Sequence, residues 1–356
     1  MNNSGSIDSQ KRQLTGSQEM DQVDLVIADI LGQYGLEQWQ AVIRHSGMNN
    51  TTRLIESVVG RFAIRVYDNH QDNSIVALEH DMLFYLIELN FALKVPEPIR
   101  NMAGNTITVS NSGKLASLFR YIDGDRPSSR NAVHIRSLGR ATGLLSAALA
   151  SYQSDRVPVY KPYYELDQSY ADWSNENIIS LAERSKLGLQ EMEAIHRILE
   201  IRKSMNGFLQ SIRSLPHQWI HGDLNFSNAV AVDDCIVGIL DFEFCTIDLR
   251  AMEPAVVLVD FIHADRTEHE RITSIAEYTG GFGETRKLTR EEADAIPGLM
   301  KLRMLDVFLH FAGRRSEGLD EPAVWEGQIR HADSVCRWIQ MNEPLLIDIL
   351  RSSLSE

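Results

Sequence analysis

Apolar residues in the first third of the chain fall mainly in short runs of strand length, separated by polar turns. Five such runs predict strands, at residues 40–44, 52–59, 61–67, 107–110 and 114–121. Two further segments, which begin near Asp24 and Asn73, repeat their apolar residues every three or four positions and predict helices. The pattern therefore predicts a mainly β lobe over residues 21–122.

The pattern changes after the segment 121–127, which is rich in turn-forming residues. Helical spacing then dominates and predicts helices at residues 134–152, 175–187, 191–212, 252–263, 268–278, 297–314 and 321–340. Residues 159–173 are rich in aromatic side chains, and we expect them to be irregular. The chain is therefore expected to have a second, mainly helical lobe over residues 123–356.

A hairpin interrupts the helical region. Two apolar runs, at residues 229–233 and 236–240, predict adjacent strands joined by a tight turn. If the turn consists of residues 234–235, Asn228 is predicted to lie opposite Asp241, because positions paired across a hairpin have a constant sum. An amide oxygen and a carboxylate are thus expected together at the open end of the hairpin.

Asp223 lies just upstream of this hairpin, after a short predicted strand at residues 217–220. Hard oxygen ligands such as Asn228 and Asp241, next to a further carboxylate, suit a Mg²⁺ ion that holds phosphates beside a base. The alternative is a surface hairpin with polar ends, since loops are generally rich in Asp and Asn. The apolar strands indicate burial and favour the metal–phosphate site.

The turn between the first two predicted strands, Ser-Gly-Met-Asn-Asn at residues 46–50, has the composition of a phosphate-binding loop. Glycine and asparagine tolerate unusual backbone angles and expose backbone N–H groups to an anion. We expect Gly47, Asn49 and Asn50 to contact nucleotide phosphates. The alternative is an ordinary hairpin turn.

A cation interrupts the apolar strand at 61–67, because Arg65 stands among Phe62, Ile64 and Val66. Glu79 falls within the apolar stripe of the following helix, where an unpaired charge would cost several kcal/mol. We therefore expect the two side chains to pair. The sequence alone does not decide whether this pair meets phosphates or serves only the structure.

Composition excludes several classes of function. The net charge of −14 over 356 residues argues against a nucleic-acid-binding protein. No apolar run reaches the ~18 residues of a membrane span, and residues 1–20 are polar, without the apolar core of a signal peptide, and are expected to be disordered. Three scattered cysteines indicate a reducing compartment, so we expect a cytoplasmic protein with a small-molecule partner. Its oligomeric state is left open, with a homodimer as one alternative.

The segment His221-Gly222-Asp223, followed by Asn228 and by Ile-Leu-Asp-Phe-Glu at residues 239–243, resembles the aminoglycoside phosphotransferase and choline kinase superfamily. The nearest appearance is to homoserine-kinase-type bacterial small-molecule kinases. The resemblance implies an α+β, bilobal protein-kinase-like fold with a β-rich N-terminal lobe and a mainly helical C-terminal lobe. It also implies that Asp223 is the catalytic base and that Asn228 and Asp241 are Mg²⁺ ligands.

Two departures from the superfamily pattern are informative. The strand lysine that contacts the α- and β-phosphates in many kinases is Arg65 here, and arginine is bulkier and differently hydrated. Gly222 stands where protein kinases carry an arginine linked to activation-loop phosphorylation. The second departure favours a small-molecule kinase over a protein kinase.

The sequence thus predicts transfer of the γ-phosphoryl group of ATP, with GTP as a less favoured donor, to a hydroxyl of an amino alcohol, amino acid or aminoglycoside-like acceptor. The hinge of the resembling fold implies adenine contacts, at Phe119, Tyr121 and Ile122. Candidate acceptor-lining residues follow in the helical lobe, namely Asp260, His263 and Trp325. A non-catalytic, pseudokinase-like nucleotide-binding module and a metal-dependent phosphohydrolase are the alternatives.

Two local contacts are also predicted around the central motif. His221 is expected to pack beside Asp241 as a structural residue rather than to act as an acid or base. Arg250 is expected to pair with Glu253, three positions later, because charges at that spacing face each other on a helix. If Arg250 lined the pocket instead, it would favour an amino-acid acceptor.

Overall fold

The structure is a computed structural model that describes residues 22–42, 50–67 and 73–355. The described residues divide into two compact units: the first contains the residues up to Leu89 together with Val95–Ile122, and the second contains Asn90–Lys94 and the residues from Asp123 onwards. The predicted disordered tail at 1–20 lies outside the described residues. The phosphate-loop candidates Gly47 and Asn49 also lie outside them.

Antiparallel strands form one sheet in the described part of the first unit, in the order β1-β2-β3-β5-β4. The strands are β1 (Trp39–Val42), β2 (Asn50–Ser57), β3 (Gly60–Tyr67), β4 (Thr108–Val109) and β5 (Leu115–Arg120). The accompanying helices are α1 (Gln22–Gly32) and α2 (Asn73–Glu88). All these elements were predicted from the apolar spacing, within a few residues at each end.

One face of this sheet is buried by α1. Ile27 and Ile30 of the helix join Ile55 and Ile64 of the strands in a single core cluster. The predicted strand at 52–59 ends earlier, at Ser57, because β2 and β3 turn through two exposed valines that lie between Ser57 and its partner Gly60. An apolar run therefore overestimates the length of a strand when its last residues form the turn.

Helices dominate the second unit. In the described residues these are α3 (Ala132–Leu149), α4 (Leu166–Ser169), α5 (Asn175–Arg184), α6 (Leu189–Ser204), α7 (Asn206–Ser211), α8 (Met252–Leu258), α9 (Glu268–Thr285), α10 (Arg290–Ser316) and α11 (Pro322–Leu354). Short 3-10 segments join several of them, and α4 with the preceding 3-10 turn lies in the stretch expected to be irregular. The predicted α+β, kinase-like organisation of sheet-rich and helical parts is confirmed. Across the described residues, no helix is both long and apolar enough to cross a bilayer.

Several predicted helix boundaries are wrong. Helices α9 and α11 extend to Thr285 and Leu354, beyond the predicted ends at 278 and 340, and two other boundaries are wrong for identifiable reasons. The helix predicted to begin at Pro297 begins at Arg290, because Thr289 and Glu292 form a reciprocal capping box about two turns earlier. The single helix predicted at 191–212 is divided at Met205 into α6 and α7. Proline 297 lies inside α10 rather than at its start.

Glycines allow α3 and α9 to pack with their backbones in close approach. A Cβ on Gly139 would lie 2.0 Å from the carbonyl oxygen of Tyr278, and a Cβ on Gly281 would lie 2.0 Å from that of Arg136. Only a residue without a Cβ fits at either distance.

Two small antiparallel sheets lie in the second unit. Strand β6 (His217–Ile220), which the sequence predicts, pairs with β9 (Thr246–Leu249), which it does not. Strands β7 (Ala229–Val232) and β8 (Cys235–Ile239) form the predicted hairpin.

The predicted register of the hairpin is wrong. Val232 pairs with Cys235, so the turn is at residues 233–234, and a bulge then moves the register by one residue, so that Val230 pairs with Gly238. The backbone oxygen of Asn228 accepts the N–H of Leu240, at 2.8 Å, rather than facing Asp241. Neither a left-handed turn residue nor a bulge changes the alternation of apolar residues, so the pairing predicted from a constant sum of positions was wrong.

Replacing Gly281 by alanine is expected to lower the free energy of unfolding by about 1–3 kcal/mol, because the new methyl group must push α3 and α9 apart. Gly327→Ala in α11 is the matched control, since a Cβ there meets nothing within 4 Å. The control is expected to raise the same free energy by about 0.5–1 kcal/mol. Urea unfolding of both variants measures the difference, and equal effects of the two substitutions would contradict the close-approach account.

Candidate active site

A loop from His221 to Asn228 connects β6 to β7 and carries the central motif. Gly222 has a φ of +79°, in the left-handed region, and a Cβ there would lie 3.0 Å from the carbonyl oxygen of Phe244. Asn225 then caps a 3-10 turn over Phe226–Asn228 by accepting the N–H of Ser227. The glycine is therefore required by the backbone, which turns sharply just before Asp223.

His221 is anchored on both its backbone and its side chain. Its N–H donates to the Glu253 carboxylate at 2.5 Å, and its Nε2 lies 2.9 Å from the carbonyl oxygen of Leu240. The imidazole packs against Phe242, with ring centroids 4.8 Å apart, and is fully buried. His221 thus joins the motif loop to the strand that leads to Asp241, in the structural position that the sequence predicts.

The predicted Arg250–Glu253 pair is wrong. Glu253 is fully buried and holds the His221 backbone, and burial raises its pKa against the opposing effect of His221. Arg250 instead forms a bidentate pair with Glu292 of α10, at 2.7 and 2.5 Å. Arg250 precedes α8, which begins at Met252, so the i,i+3 spacing of a helix does not bring it to Glu253.

Asp223 presents a carboxylate that is partly exposed, with 23% of its side-chain surface accessible. Its Oδ1 accepts a hydrogen bond from Nη2 of Arg303 at 2.6 Å. Its Oδ2 lies 3.3 Å from the Asn228 side-chain nitrogen, which also donates to the Asp223 backbone oxygen at 2.9 Å. The two predicted functional residues of the motif loop are therefore in direct contact.

Arg303 of α10 was not predicted from the sequence. It also donates to the Tyr163 hydroxyl at 2.6 Å, and its Nη1 lies 3.5 Å from Asp306. Tyr170 in turn donates to Asp306 at 2.9 Å. The sequence does contain a signal for these residues, because Arg303 and Asp306 interrupt the apolar run 299–311, just as Arg65 interrupts its strand.

The donor chemistry around Asn228 and Asp241 fits a magnesium ion. The side-chain nitrogen of Asn228 faces Asp223, which leaves the amide Oδ1 as the ligand atom, and the hydrogen bond between Asn228 and Leu240 brings the next residue, Asp241, close by. Asp241 has a φ of +68°, a left-handed conformation that costs a non-glycine residue roughly 1–2 kcal/mol and is typical of functional positions.

No group of three or more His, Cys, Asp or Glu side chains that could hold a metal is found in the part of the chain that the structure describes. Mg²⁺ is usually held by one or two protein carboxylates together with water and substrate oxygens. Asn228 and Asp241 therefore fit the ion as a pair of protein ligands rather than as a closed cage.

The three candidate acceptor residues lie in different environments. Asp260 is electrostatically coupled to Arg303 and Asp223; burial raises its pKa to about 7, and Arg303 opposes that rise. His263 stacks on His331, with ring centroids 4.9 Å apart. Trp325 is only 1% exposed and belongs to the core of the second unit. Of the three, only Asp260 is shown to interact electrostatically with a residue of the motif loop, Asp223.

The predicted pair in the first unit is confirmed as a contact. Nη1 of Arg65 lies 3.3 Å from Glu79, which is 2% exposed, and Tyr67 donates to the same carboxylate at 3.1 Å. A buried carboxylate with two donors fixes the arginine in place. Asn50, the described member of the phosphate-loop candidates, is buried at the start of β2, opposite Tyr67.

The hinge candidates lie at the end of β5 and just after it. Phe119 is buried and pairs with Ala63 of β3, while Ile122 is 9% exposed. The N–H of Tyr121 donates to the carbonyl oxygen of Arg61 at 3.1 Å, and the Arg61 guanidinium lies over the Tyr121 ring. The N–H of Tyr121 is thus used within the sheet, so an adenine base would need other backbone groups of this segment.

Comparison with known proteins identifies the family. Residues 41–288 match the model of the phosphotransferase enzyme family (APH). A homoserine kinase of Afipia carboxidovorans is 24% identical over 262 residues, which cover 72% of this chain and 73% of that protein. A homoserine kinase of Methylobacillus flagellatus is 23% identical over 296 residues, which cover 81% of this chain and 86% of that protein.

Solved structures show the same fold. A microcompartment-associated aminopropanol kinase superposes with a TM-score of 0.70 at 17% identity, covering 91% of this chain and 98% of its own. The amicoumacin kinase hAmiN, in complex with AMP-PNP, Ca²⁺ and Ami, gives a TM-score of 0.65 at 14% identity, with 88% and 93% covered. The family match spans well over half of the sequence, and the predicted superfamily is confirmed. The chain belongs to the phosphotransferase enzyme family and is an ATP-dependent phosphotransferase that acts on hydroxyl groups.

Proposed function

We propose that this small-molecule kinase transfers the γ-phosphoryl group of ATP to the hydroxyl of an amine-bearing acceptor, such as an amino alcohol, an amino acid or an aminoglycoside-like molecule, with Asp223 as the base. The observation that carries the proposal is the state of the Asp223 carboxylate. It is partly exposed, oriented through Oδ1 by Arg303, and in contact with Asn228 through Oδ2. A general base needs this combination of access and orientation.

The proposed reaction is an in-line displacement. The acceptor hydroxyl oxygen forms a bond to the γ-phosphorus while the bond from that phosphorus to the β–γ bridging oxygen breaks, and ADP leaves. The hydroxyl proton passes to Oδ2 of Asp223, because Oδ1 is occupied by Arg303. Such transition states are loose, so the protein contributes mainly orientation and charge stabilisation.

Asn228 and Asp241 would hold Mg²⁺ through one amide and one carboxylate oxygen. When bound, the ion neutralises negative charge on the β- and γ-phosphates. Asp241 suits this role because it lies at a sharp corner just after β8, where its backbone is left-handed. His221 supports both ligands indirectly through its bond to Leu240.

We assign the nucleotide contacts of the first unit by the same proposal. Arg65, fixed by Glu79, would meet the phosphates in place of the usual strand lysine. Gly47, Asn49 and Asn50 would cover them with backbone N–H groups. The segment that contains Phe119, Tyr121 and Ile122 would bind the adenine.

An amine-bearing acceptor is supported by the negative groups near Asp223. Asp260 interacts electrostatically with Asp223 and Arg303. We assign Asp260 to bind the ammonium group of the acceptor. The homoserine kinases among the relatives act on a substrate that carries both an amine and a hydroxyl. His263 would line the outer part of the acceptor site, whereas Trp325 would shape it only from the core.

The thiols support a reducing, cytoplasmic location. Cys235, Cys245 and Cys336 are all unbridged, and Cys235 is exposed. An oxidising compartment would leave an exposed thiol open to disulfide exchange and oxidation.

An ATP-consumption screen tests the proposed function. Wild-type protein with ATP and Mg²⁺ is expected to form ADP with one class among hydroxylated amines, amino acids, sugars and aminoglycosides, and EDTA is expected to abolish the reaction. Asp223→Asn is expected to lower kcat by ~10²–10⁴-fold, because the amide cannot accept the proton. Asp234→Asn in the exposed hairpin turn is the control and should behave as wild type.

Three outcomes of that screen would contradict the proposal. Nucleotide binding without turnover across the whole panel would indicate a non-catalytic module. Release of phosphate without any acceptor would indicate a phosphohydrolase. Full activity of Asp223→Asn would remove the base from its proposed place.

The pH dependence of acceptor binding tests the role of Asp260. Its carboxyl group is charged above pH ~7 and neutral below it, because burial raises its pKa to about 7. The KM for an amine acceptor is therefore expected to rise as the pH falls through 7, while the KM for ATP stays constant. Asp260→Asn should raise the acceptor KM roughly 10–100-fold at pH 8 and remove this pH dependence.

Asp348→Asn provides the control for that experiment, because Asp348 is exposed on α11. It is expected to leave the acceptor KM and its pH profile unchanged. A pH-dependent acceptor KM that persists in Asp260→Asn would place the titrating group elsewhere.

A further inference from the structure

We propose that Arg303 is a positioning residue for phosphoryl transfer: it binds Oδ1 of Asp223 and so directs Oδ2 towards the acceptor hydroxyl. The inference rests on the proposed function, in which Asp223 is the base. It adds a residue from α10, outside the motif that the sequence pointed to. Arg303 would act through Asp223 and would not itself touch the reacting atoms.

Arg303 holds the Asp223 carboxylate more strongly than Asn228 does. The Arg303–Asp223 bond joins opposite charges at 2.6 Å, whereas the contact between Oδ2 and the Asn228 amide nitrogen is 3.3 Å. Both bonds are accepted by the Asp223 carboxylate, but only Arg303 contributes an opposite charge, and its bond is also the shorter. The orientation of the carboxylate is therefore set mainly through Oδ1.

Arg303 also belongs to a closed ring of contacts with Tyr163 and the motif loop. Its Nη1 donates to the Tyr163 hydroxyl at 2.6 Å, and that hydroxyl donates to the carbonyl oxygen of Gly222 at 2.7 Å. Gly222 precedes Asp223 in the chain, so the motif loop is held at two successive residues, one by Tyr163 and one by Arg303. A ring closed in this way fixes both the backbone and the side chain of the base.

Tyr163 is itself held in place. Its N–H donates to the buried carboxylate of Asp248 at 2.6 Å, and Asp248 also accepts the N–H of Leu249. The phenol is surrounded by Arg303 and by acidic groups, and burial raises its pKa well above the usual value. Tyr163 therefore stays protonated and can both accept from Arg303 and donate to Gly222.

Arg303 remains charged in this position. Burial disfavours its charge, but Tyr163, Asp223, Asp306 and Asp260 more than compensate, so its pKa is raised. Its two Nη atoms are already engaged with three oxygen acceptors. Three of the five N–H donors of the guanidinium are thus used within the site, which favours a positioning role for Arg303.

Three variants of the full-length protein test the inference by steady-state kinetics. Arg303→Gln is expected to lower kcat about 10²-fold with the KM values for ATP and acceptor nearly unchanged, because misorientation of the base costs rate rather than binding. Arg303→Lys should recover part of kcat, since an ammonium can bind Oδ1 but lacks the planar fork that also reaches Tyr163. Tyr163→Phe keeps the ring and should lower kcat less than Arg303→Gln does.

Lys301→Gln is the matched control on the same helix. Lys301 pairs with Glu343 at 3.2 Å and has no place in the ring. It should retain wild-type kcat and KM. Thermal unfolding of all four variants separates loss of fold from loss of rate, and Tyr163→Phe keeps the test decisive if Arg303→Gln does not fold.

The outcomes separate this inference from the function beneath it. An unchanged kcat in both Arg303→Gln and Tyr163→Phe overturns the positioning role while Asp223→Asn remains inactive. A raised acceptor KM with unchanged kcat in Arg303→Gln also overturns it, because the arginine would then bind the acceptor. Activity retained in Asp223→Asn would instead refute the proposed base.

Discussion

A single buried carboxylate organises the site. Glu253 has no solvent-exposed surface, so its oxygens depend on donors from the protein, and the backbone N–H of His221 supplies one at 2.5 Å. This bond fixes the start of the motif loop to the first turn of α8. From there the left-handed Gly222 turns the chain, and Asp223 projects from a backbone that has little freedom to move.

The second constraint is the pairing of charges brought together by tertiary packing. Arg303 comes from α10, 80 residues away from Asp223, and Tyr163 comes from a segment 59 residues before the Gly222 carbonyl that it binds. Neither contact is local in sequence, yet together they hold two successive residues of the loop. The long helix α10 therefore contributes to the chemistry, and its bond from Glu292 to Arg250 ties it to the segment after β9.

The sequence predicted much of the fold and the local part of the site. Apolar spacing located the strands and most of the helices, and the motif around Asp223 located the loop and hairpin. The contacts that it missed are those between distant segments: Arg303 with Asp223, and Arg250 with Glu292. A helical spacing rule placed Arg250 on Glu253, but Arg250 lies before that helix begins, and it binds the buried Glu292 of α10 instead.

The hairpin register failed for a different reason. Asp233, at the turn, has a φ of 50°, and the strand bulges at Val230, so the pairing shifts without any change in the apolar pattern. Asn228 and Asp241 are still drawn together, through the hydrogen bond between Asn228 and Leu240 rather than by direct opposition. The metal-ligand roles of Asn228 and Asp241 remain predictions, and only the geometric reason given for their proximity is wrong.

The central claim is that this site places a phosphoryl group on an acceptor hydroxyl. The most direct measurement is ³¹P NMR of the products formed from ATP, Mg²⁺ and an acceptor that stimulates ADP formation. The account predicts a new phosphomonoester resonance coupled to the protons on the hydroxyl-bearing carbon, in equal amount to ADP. Inorganic phosphate as the sole new product, or a phosphoramidate on the acceptor nitrogen, would contradict it.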